Sequence, residues 1–236
     1  MMRYFFVLLL SVIGSAAFGQ EVDSAFIAKT YFPRFAQDTG KLLPDFRLVD
    51  EKGRERTMAS FRGKILYIDV WETSCKPCIG NFPYAKQLRK RLKAAQIDTL
   101  IEFVTVCTGD SKIEWKKKLK EHKPDGVHLY ANDTLLLDSW KVNAFPTYIL
   151  VDPAGRIMCN GLYSPDEAFV DYALYAATKG IKPAQSVWTN LRQYQYFREH
   201  KKYTDDAEGK DYTRWYNSVV KELVAFFQWR QKWENR

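Results

Sequence analysis

The chain has 236 residues, of which 46% are hydrophobic and 27% are charged. This length and composition allow one domain with a sizeable core and an appendage, and they exclude an intrinsically disordered protein. The formal net charge of +8 would suit a nucleic-acid binder, but the sequence carries no nucleic-acid-binding motif, so we expect acidic partners or an anionic membrane surface instead.

Residues 1–19 have the pattern of a cleavable secretory signal. Arg3 precedes an apolar run from Tyr4 to Ile13, and small residues follow, with cleavage expected near Ala17 or Gly19. An uncleaved anchor helix is the alternative, but the run is shorter than the roughly 20 residues that span a bilayer. We therefore expect export to the periplasm, where disulfides persist.

Residues 20–40 show no clear period and are interpreted as a lead-in segment, whereas residues 41–180 alternate strands with helices. Two short strands around a turn predict an N-terminal β-hairpin. The run "KILYIDVW" predicts a central strand covered on both faces. The last two strands are joined by "PAG" and add an antiparallel edge, and a helix capped by Ser164 follows. This order predicts an α/β fold with a mixed central sheet flanked by helices.

Residues 181–236 are predicted to form a helical C-terminal extension. Apolar residues recur there at three- or four-residue steps among lysines and arginines: Trp215, Val219, Leu223, Phe226, Phe227 and Trp233. We expect a helical pair that packs on the domain; the alternative is a docking surface for a protein partner or an anionic membrane. Two basic runs, residues 86–93 and 116–123, are interpreted as solvated helix faces.

The stretch "WETSCKPCIGNFP" places Cys75 and Cys78 two residues apart, directly after the predicted central strand. A structural zinc site would need further ligands at a matching spacing, which the scattered remaining cysteines and histidines do not provide, so we predict no metal. A peroxide-reducing site would need the pattern P-x-x-x-T-x-x-C, which this stretch does not match. The remaining interpretation is a redox dithiol.

The position of Cys75 at the start of a predicted helix favours its ionisation. The helix dipole is expected to lower the pKa of the thiol from about 8.5 toward about 7, and only the thiolate attacks disulfides. Lys76 adds a positive charge beside it. Pro77 fits the first helical turn, where its missing N–H costs nothing. Cys78, one turn further in, is placed to attack a mixed disulfide on Cys75.

The order of strand, C-x-x-C, four residues and proline, with "NAFPTYILVD" much later, resembles the thioredoxin superfamily. The lead-in "LLPDFRLVDEKG" resembles its exported TlpA/ResA-like branch of thiol:disulfide oxidoreductases. The resemblance covers about residues 41–180 and implies a thioredoxin-like fold. It also implies that Cys75 is the attacking thiol, that Cys78 is the resolving thiol, and that no cofactor is needed beyond their redox-active disulfide.

Two further assignments follow from the resemblance. Pro146 would be the cis-proline beside the disulfide, and Phe145 would offer backbone hydrogen bonds to an extended substrate strand. The side chains expected to contact substrate are Trp71, Lys76, Pro77 and Phe145.

Asp69 interrupts a strand that is expected to be buried, where an unpaired carboxylate is costly and its pKa should rise. Such a group can shuttle a proton for Cys78; an Asp at a wet strand end is the plainer alternative, and Glu72 is a competing acid. Cys107 and Cys159 lie on strands that the fold separates, so we expect neither to form a disulfide.

These features predict an enzyme that reduces disulfides of exported proteins and receives electrons from a membrane or periplasmic donor. Two alternatives stay open. The same site could donate or isomerise disulfides, or the protein could be a non-catalytic partner-binding module that acts through its C-terminal helices.

Overall fold

The computed structural model describes residues 38–109, 111–133, 135–167 and 170–235. The predicted signal and most of the predicted lead-in therefore lie outside the described residues. The strands are β1 (Leu48–Asp50), β2 (Glu55–Arg56), β3 (Ile65–Trp71), β4 (Ile101–Thr108), β5 (Val127–Ala131), β6 (Thr147–Val151) and β7 (Ile157–Leu162). The helices are α1 (Lys76–Ala94), α2 (Lys112–His122), α3 (Leu135–Ser139), α4 (Val170–Ala177), α5 (Pro183–His200) and α6 (Ala207–Glu234).

The strands form one mixed sheet in the order β2-β1-β5-β4-β3-β6-β7. Strands β3, β4 and β5 are parallel, whereas β1 and β2 form an antiparallel hairpin and β6 and β7 close the other side antiparallel. All seven residues of β3 are buried, as expected of a central strand whose residues other than Asp69 are apolar or aromatic. The thioredoxin-like fold predicted from the sequence is confirmed, including its N-terminal hairpin.

The outer edge of β7 is covered by the segment that enters the domain. The backbone N–H of Gly40 donates to the Ile157 carbonyl at 2.7 Å, and the Leu43 N–H donates to the Gly155 carbonyl at 2.9 Å. Leu42 and Arg156 form an antiparallel bridge between these hydrogen bonds. An unpaired edge would invite pairing with other chains, and this segment occupies it.

The C-terminal helices complete one of the two hydrophobic faces of the domain. Trp215, Val219, Leu223 and Phe226 of α6 are at most 5% exposed. Trp215, Val219 and Leu223 belong to one cluster with side chains of β3, α1 and α4. The predicted packing of the helical pair on the domain is confirmed. The alternative interpretation, a docking surface built on these apolar residues, is wrong because most of them are already buried. Among the large apolar side chains of α6, only Trp233 near its end is exposed.

The interpretation of residues 86–93 as a solvated helix face is wrong at Arg91. This side chain is 1% exposed, and its Nε lies 2.7 Å from Oδ1 of Asp171 on α4, which is equally buried. Its guanidinium carbon also lies 4.1 Å from the ring centroid of Phe226. A charge buried in this way needs a partner, and that partner comes from 80 residues away.

The helix predicted from Ser164 begins later, because α4 starts at Val170. The residues around Ser164 form a turn in which its backbone N–H donates to the Glu167 carboxylate at 3.1 Å. Among the described residues, no helix is long and apolar enough to cross a membrane.

A tight backbone contact precedes β5. Gly126 has a φ of +108°, and a Cβ at this position would lie 2.3 Å from the Phe103 carbonyl oxygen of β4. Only glycine combines that backbone angle with such a close approach of two chain segments.

Candidate active site

Cys75 and Cys78 lie where β3 ends and α1 begins, and they form a disulfide with a Cα–Cα distance of 5.3 Å. Cys75 is the N-cap of α1, and its Sγ accepts a hydrogen bond from the Cys78 backbone N–H at 3.2 Å. Pro77 lies in the first turn as predicted. The sulfur of Cys75 therefore faces unsatisfied N–H groups and the positive end of the helix dipole.

The two cysteines differ in exposure. Cys75 is 9% exposed, whereas Cys78 is completely buried. An incoming disulfide can reach only the outer sulfur, and the inner one is placed to attack it from behind. The exposed Lys76 and Pro77 stand at the mouth of this site, and their contact with substrate stays a prediction.

A buried aromatic cluster supports the disulfide from below. Trp71 packs edge-on against Phe82 of α1, with ring centroids 5.1 Å apart. Trp71 is fully buried, so its predicted contact with substrate is wrong in this conformation. Its role here is to fill the space beneath the cysteines. Cys107 belongs to the same cluster.

Neither Cys107 nor Cys159 forms a disulfide, as expected. Both are buried, and their strands β4 and β7 are separated in the sheet by β3 and β6.

The loop before β6 brings Pro146 to the same edge of the sheet. The Phe145–Pro146 peptide bond is cis, as the resemblance implied. Thr147 pairs with Val70 near the end of β3, which places Pro146 beside the segment that carries the disulfide. Phe145 is half-buried and packs against the cluster below Cys78, and its backbone contacts with a substrate strand stay a prediction.

Asp69 is buried in the middle of β3, with 8% of its surface exposed. Its Oδ1 has no hydrogen-bond partner among the described residues, and burial raises the pKa of the carboxyl to about 8. The predicted burial is therefore confirmed, and the pKa shift has the predicted direction. Glu72, the competing acid, is half-buried and accepts a hydrogen bond from the Ser74 hydroxyl at 2.8 Å.

The structure adds a polar pair that the sequence analysis missed. The Thr105 hydroxyl lies 3.0 Å from Nδ1 of His128, and both side chains are buried. Each residue interrupts an apolar run within its own strand. That interruption is the same signal that pointed to Asp69, and applying it to β4 and β5 would have found the pair.

Within the part of the chain that the structure describes, no three His, Cys, Asp or Glu side chains come together in a way that could hold a metal ion. The reactive groups that the structure brings to this site are the two cysteines and the buried carboxyl of Asp69.

Comparisons with known proteins agree with this geometry. The family model described as Redoxin matches residues 38–173. The thiol-disulfide oxidoreductase ResA of Bacillus subtilis (strain 168) is 29% identical over 119 residues, which cover 50% of this chain and 64% of that protein. ResA of Geobacillus kaustophilus (strain HTA426) is 28% identical over 142 residues, covering 60% of this chain and 77% of that protein.

A solved structure shares the fold. The solution structure of a thiol:disulfide interchange protein from Bacteroides sp. superposes with a TM-score of 0.50 at 26% identity, covering 61% of this chain and 90% of that chain. The Redoxin match ends at residue 173, so helices α5 and α6 lie beyond it.

Proposed function

The chain belongs to the redoxin family, and from this premise we propose that it is a thiol:disulfide oxidoreductase that reduces disulfides of exported proteins. One observation carries the proposal: a C-x-x-C disulfide caps a helix, with Cys75 slightly exposed and Cys78 completely enclosed behind it. That asymmetry supports giving the two thiols successive steps of one exchange.

The proposed reaction begins with both cysteines reduced. The Cys75 thiolate attacks one sulfur of the substrate disulfide, so that a Cys75–substrate bond forms and the other substrate sulfur leaves as a thiolate. Cys78 then loses its proton and attacks Cys75, which releases the second substrate thiolate and forms the Cys75–Cys78 disulfide. Two electrons pass from the protein to the substrate, and an external dithiol donor must restore the reduced pair.

Asp69 is proposed to accept the Cys78 proton in the second step. A carboxyl pKa of about 8 is close to that of an ordinary thiol, so proton transfer between the two groups is nearly balanced. Asp69 and Trp71 are two residues apart on β3 and therefore point to the same face, and Trp71 lies in the cluster that contains Cys78. This arrangement supports the assignment of Asp69 over Glu72.

The cellular setting is part of the proposal. The apolar N-terminal pattern of residues 1–19 supports export to the periplasm, where disulfide-containing substrates occur. The proposed partners are exported proteins with disulfides and a membrane or periplasmic electron donor.

The proposal is tested by insulin reduction with the mature chain. We expect turnover by the wild type, none by Cys75→Ser, and a stable covalent adduct between Cys75 and substrate in Cys78→Ser, which mass spectrometry identifies. Cys159→Ala, on a strand far from the disulfide, is the matched control and should keep its activity.

The direction of electron flow is tested separately by the reduction potential. If the reduction potential is as high as those of strong oxidants, the protein oxidises substrate thiols. Its role would then be that of a disulfide donor and not of a reductant. If the wild type is inactive and Cys78→Ser forms no adduct, the enzymatic proposal is wrong. A partner-binding module would then be favoured.

A further inference from the structure

A row of polar side chains crosses the middle of the sheet. Asp69 of β3 pairs in register with Thr105 of β4 on one side and with Tyr148 of β6 on the other. Thr105 in turn pairs with His128 of β5. Side chains of directly paired residues on neighbouring strands point to the same face, so these side chains form a continuous line, called here the transverse row: His128, Thr105, Asp69 and Tyr148.

A small cavity lies beside the carboxylate in this row. Its volume of about 20 Å³ is enough for one water molecule. It is lined by Asp69, Thr105, Tyr148, Tyr67 and Asp125 among others. A buried water needs two to four polar partners, and these groups supply them. Because Oδ1 of Asp69 has no hydrogen-bond partner among the described residues, a water here would satisfy it.

The His128 end of the row opens to solvent. His128 is 8% exposed and lines a second cavity, at the surface, of about 480 Å³. Burial lowers the pKa of its imidazole below the usual 6.5. At neutral pH the ring is therefore uncharged, with one nitrogen that accepts a proton and one that donates. This is the state that passes a proton onward.

The Tyr148 end of the row is closed. Its hydroxyl accepts a hydrogen bond from Nδ2 of Asn81 on α1 at 3.1 Å, and burial raises its pKa well above the usual 10.0. A side-chain amide that donates to this hydroxyl offers no acceptor for a proton there. The row therefore has one open direction, from Asp69 toward His128.

We propose that Thr105 and His128 form a proton relay between Asp69 and solvent. The inference rests on the proposed function, in which Asp69 receives the Cys78 proton as the Cys78–Cys75 bond forms and the substrate thiolate leaves. The proton then passes from Asp69 to the cavity water, to the Thr105 hydroxyl and to His128, which releases it into the surface cavity. Each relay group takes one proton and gives one, and no electrons move. The imidazole takes its proton at Nδ1, which lies against Thr105, and loses one from its other ring nitrogen, so it ends as the opposite tautomer and exchanges its ring proton with solvent before the next turnover.

Several charged and titratable groups surround this path. Those around Asp69 come from β3, β6 and the segment before β5: Tyr67, Tyr148 and Asp125. Those around His128 come from the β1–β2 turn, α2 and the segment between α2 and β5: Glu51, Lys116, Lys120, Lys123 and Asp125. Thr105 and His128 act through Asp69 and are positioning residues. Their test must therefore measure the rate of proton release directly.

The experiment is a single turnover of the reduced full-length protein with Ellman's reagent. The reaction is run near pH 8, where about half of the Asp69 carboxyls are ionised and can accept a proton. The released aromatic thiolates stay unprotonated at this pH, so the Cys78 proton is set free rather than absorbed by product. Stopped-flow absorbance records the second thiolate, and an indicator dye in weak buffer records the proton. In the wild type we expect both signals to rise together. In Thr105→Val and His128→Ala the proton should trail the thiolate, with a rate about tenfold lower.

Two controls separate a relay from a merely structural role. Thr105→Ser keeps the hydroxyl and should restore synchrony, and added imidazole, entering the surface cavity, should shorten the delay in His128→Ala. Thr108→Val removes a second buried hydroxyl of β4, one that has no hydrogen-bond partner among the described residues, and should behave as wild type.

The two failures are distinguishable. If Thr105→Val and His128→Ala release the proton in step with the thiolate, the relay is wrong while the proposed function stands. If the wild type releases no second thiolate, the proposed function fails, and the relay fails with it.

Discussion

The two halves of α1 are held in different ways. At its first turn, the reactive sulfur of Cys75 lies near the surface, beside the exposed Lys76 and Pro77. Further along, Arg91 is locked between Asp171 of α4 and the ring of Phe226 of α6. The reactive end stays open to substrate because the anchoring contacts are concentrated at the other end, where α4 and α6 pack.

Further contacts join α1 to the last turns of α6. The Tyr84 hydroxyl donates to Glu234 at 3.0 Å, and the Tyr84 ring meets Trp229 edge-on with centroids 5.2 Å apart. Arg230 donates to the Asp166 carbonyl at 3.0 Å. The α6 residues in these contacts lie beyond the part of the chain that matches the family model, so the extension acts as a brace for the helix that carries the disulfide.

Removing α6 should have the largest effect on the stability of the domain. A chain that ends at Asp206 loses the buried Trp215, Val219, Leu223 and Phe226. Each such side chain contributes about 1.5–3 kcal/mol by burial, and the total approaches the whole stability of a domain. We expect no cooperative thermal unfolding transition by circular dichroism. A truncated protein that melts like the full chain and still reduces insulin would show that the brace is dispensable.

Breaking the buried ion pair should have the next largest effect. Arg91→Met leaves the Asp171 carboxylate buried without its partner, which should lower the free energy of unfolding by about 3–5 kcal/mol. Urea denaturation measures this change.

The double variant Arg91→Met with Asp171→Leu is the matched control for this pair. It removes both charges and should recover most of the stability. Equal losses in the single and double variants would contradict the ion-pair explanation and leave only lost packing.

Asp69→Asn tests the buried carboxyl at the reactive end. The unfolded chain releases this proton near the usual pKa of 3.8, whereas the folded protein keeps it to about 8. Since the folded state binds the extra proton, wild-type stability falls by about 1.4 kcal/mol per pH unit across that window. Asn does not titrate. The free energy of unfolding of the variant should therefore rise relative to that of the wild type as the pH rises from about 5 to about 8. Urea curves that stay parallel over this range would contradict the raised pKa.

The smallest effect is expected at the mouth of the site. Lys76 is exposed and adds only a screened charge to the helix dipole at Cys75. Lys76→Ala should slow alkylation of the reduced Cys75 about twofold at neutral pH and leave the melting temperature unchanged. Lys90→Ala, an exposed lysine further along the same helix, is the control. A tenfold loss would mean that Lys76, more than the dipole, activates the thiol.

The disulfide site was predictable because its chemistry is local. Cys75 as helix cap, Pro77 in the first turn and the buried Asp69 all follow from spacing within one stretch of sequence. The cis geometry of Pro146 came from resemblance, since spacing alone does not determine the isomer.

The features that sequence reasoning missed depend on contacts between distant segments. In the sequence, Arg91 is one more charge in a basic run. The carboxylate that allows its burial comes from α4, which is distant in the chain. Trp71 reads as an aromatic at the mouth of the site, but α1 and α2 close over it. His128 meets Thr105 through the register between β4 and β5, and register between strands is not written in either strand alone.

Gly126 has a consequence for how this protein can change. Its missing side chain lets the segment before β5 approach the Phe103 carbonyl, and two residues later the same strand delivers His128. A single methyl group here would force the two segments apart. During directed evolution or natural drift, this position should therefore tolerate no replacement, although it lies outside every motif by which the protein can be recognised.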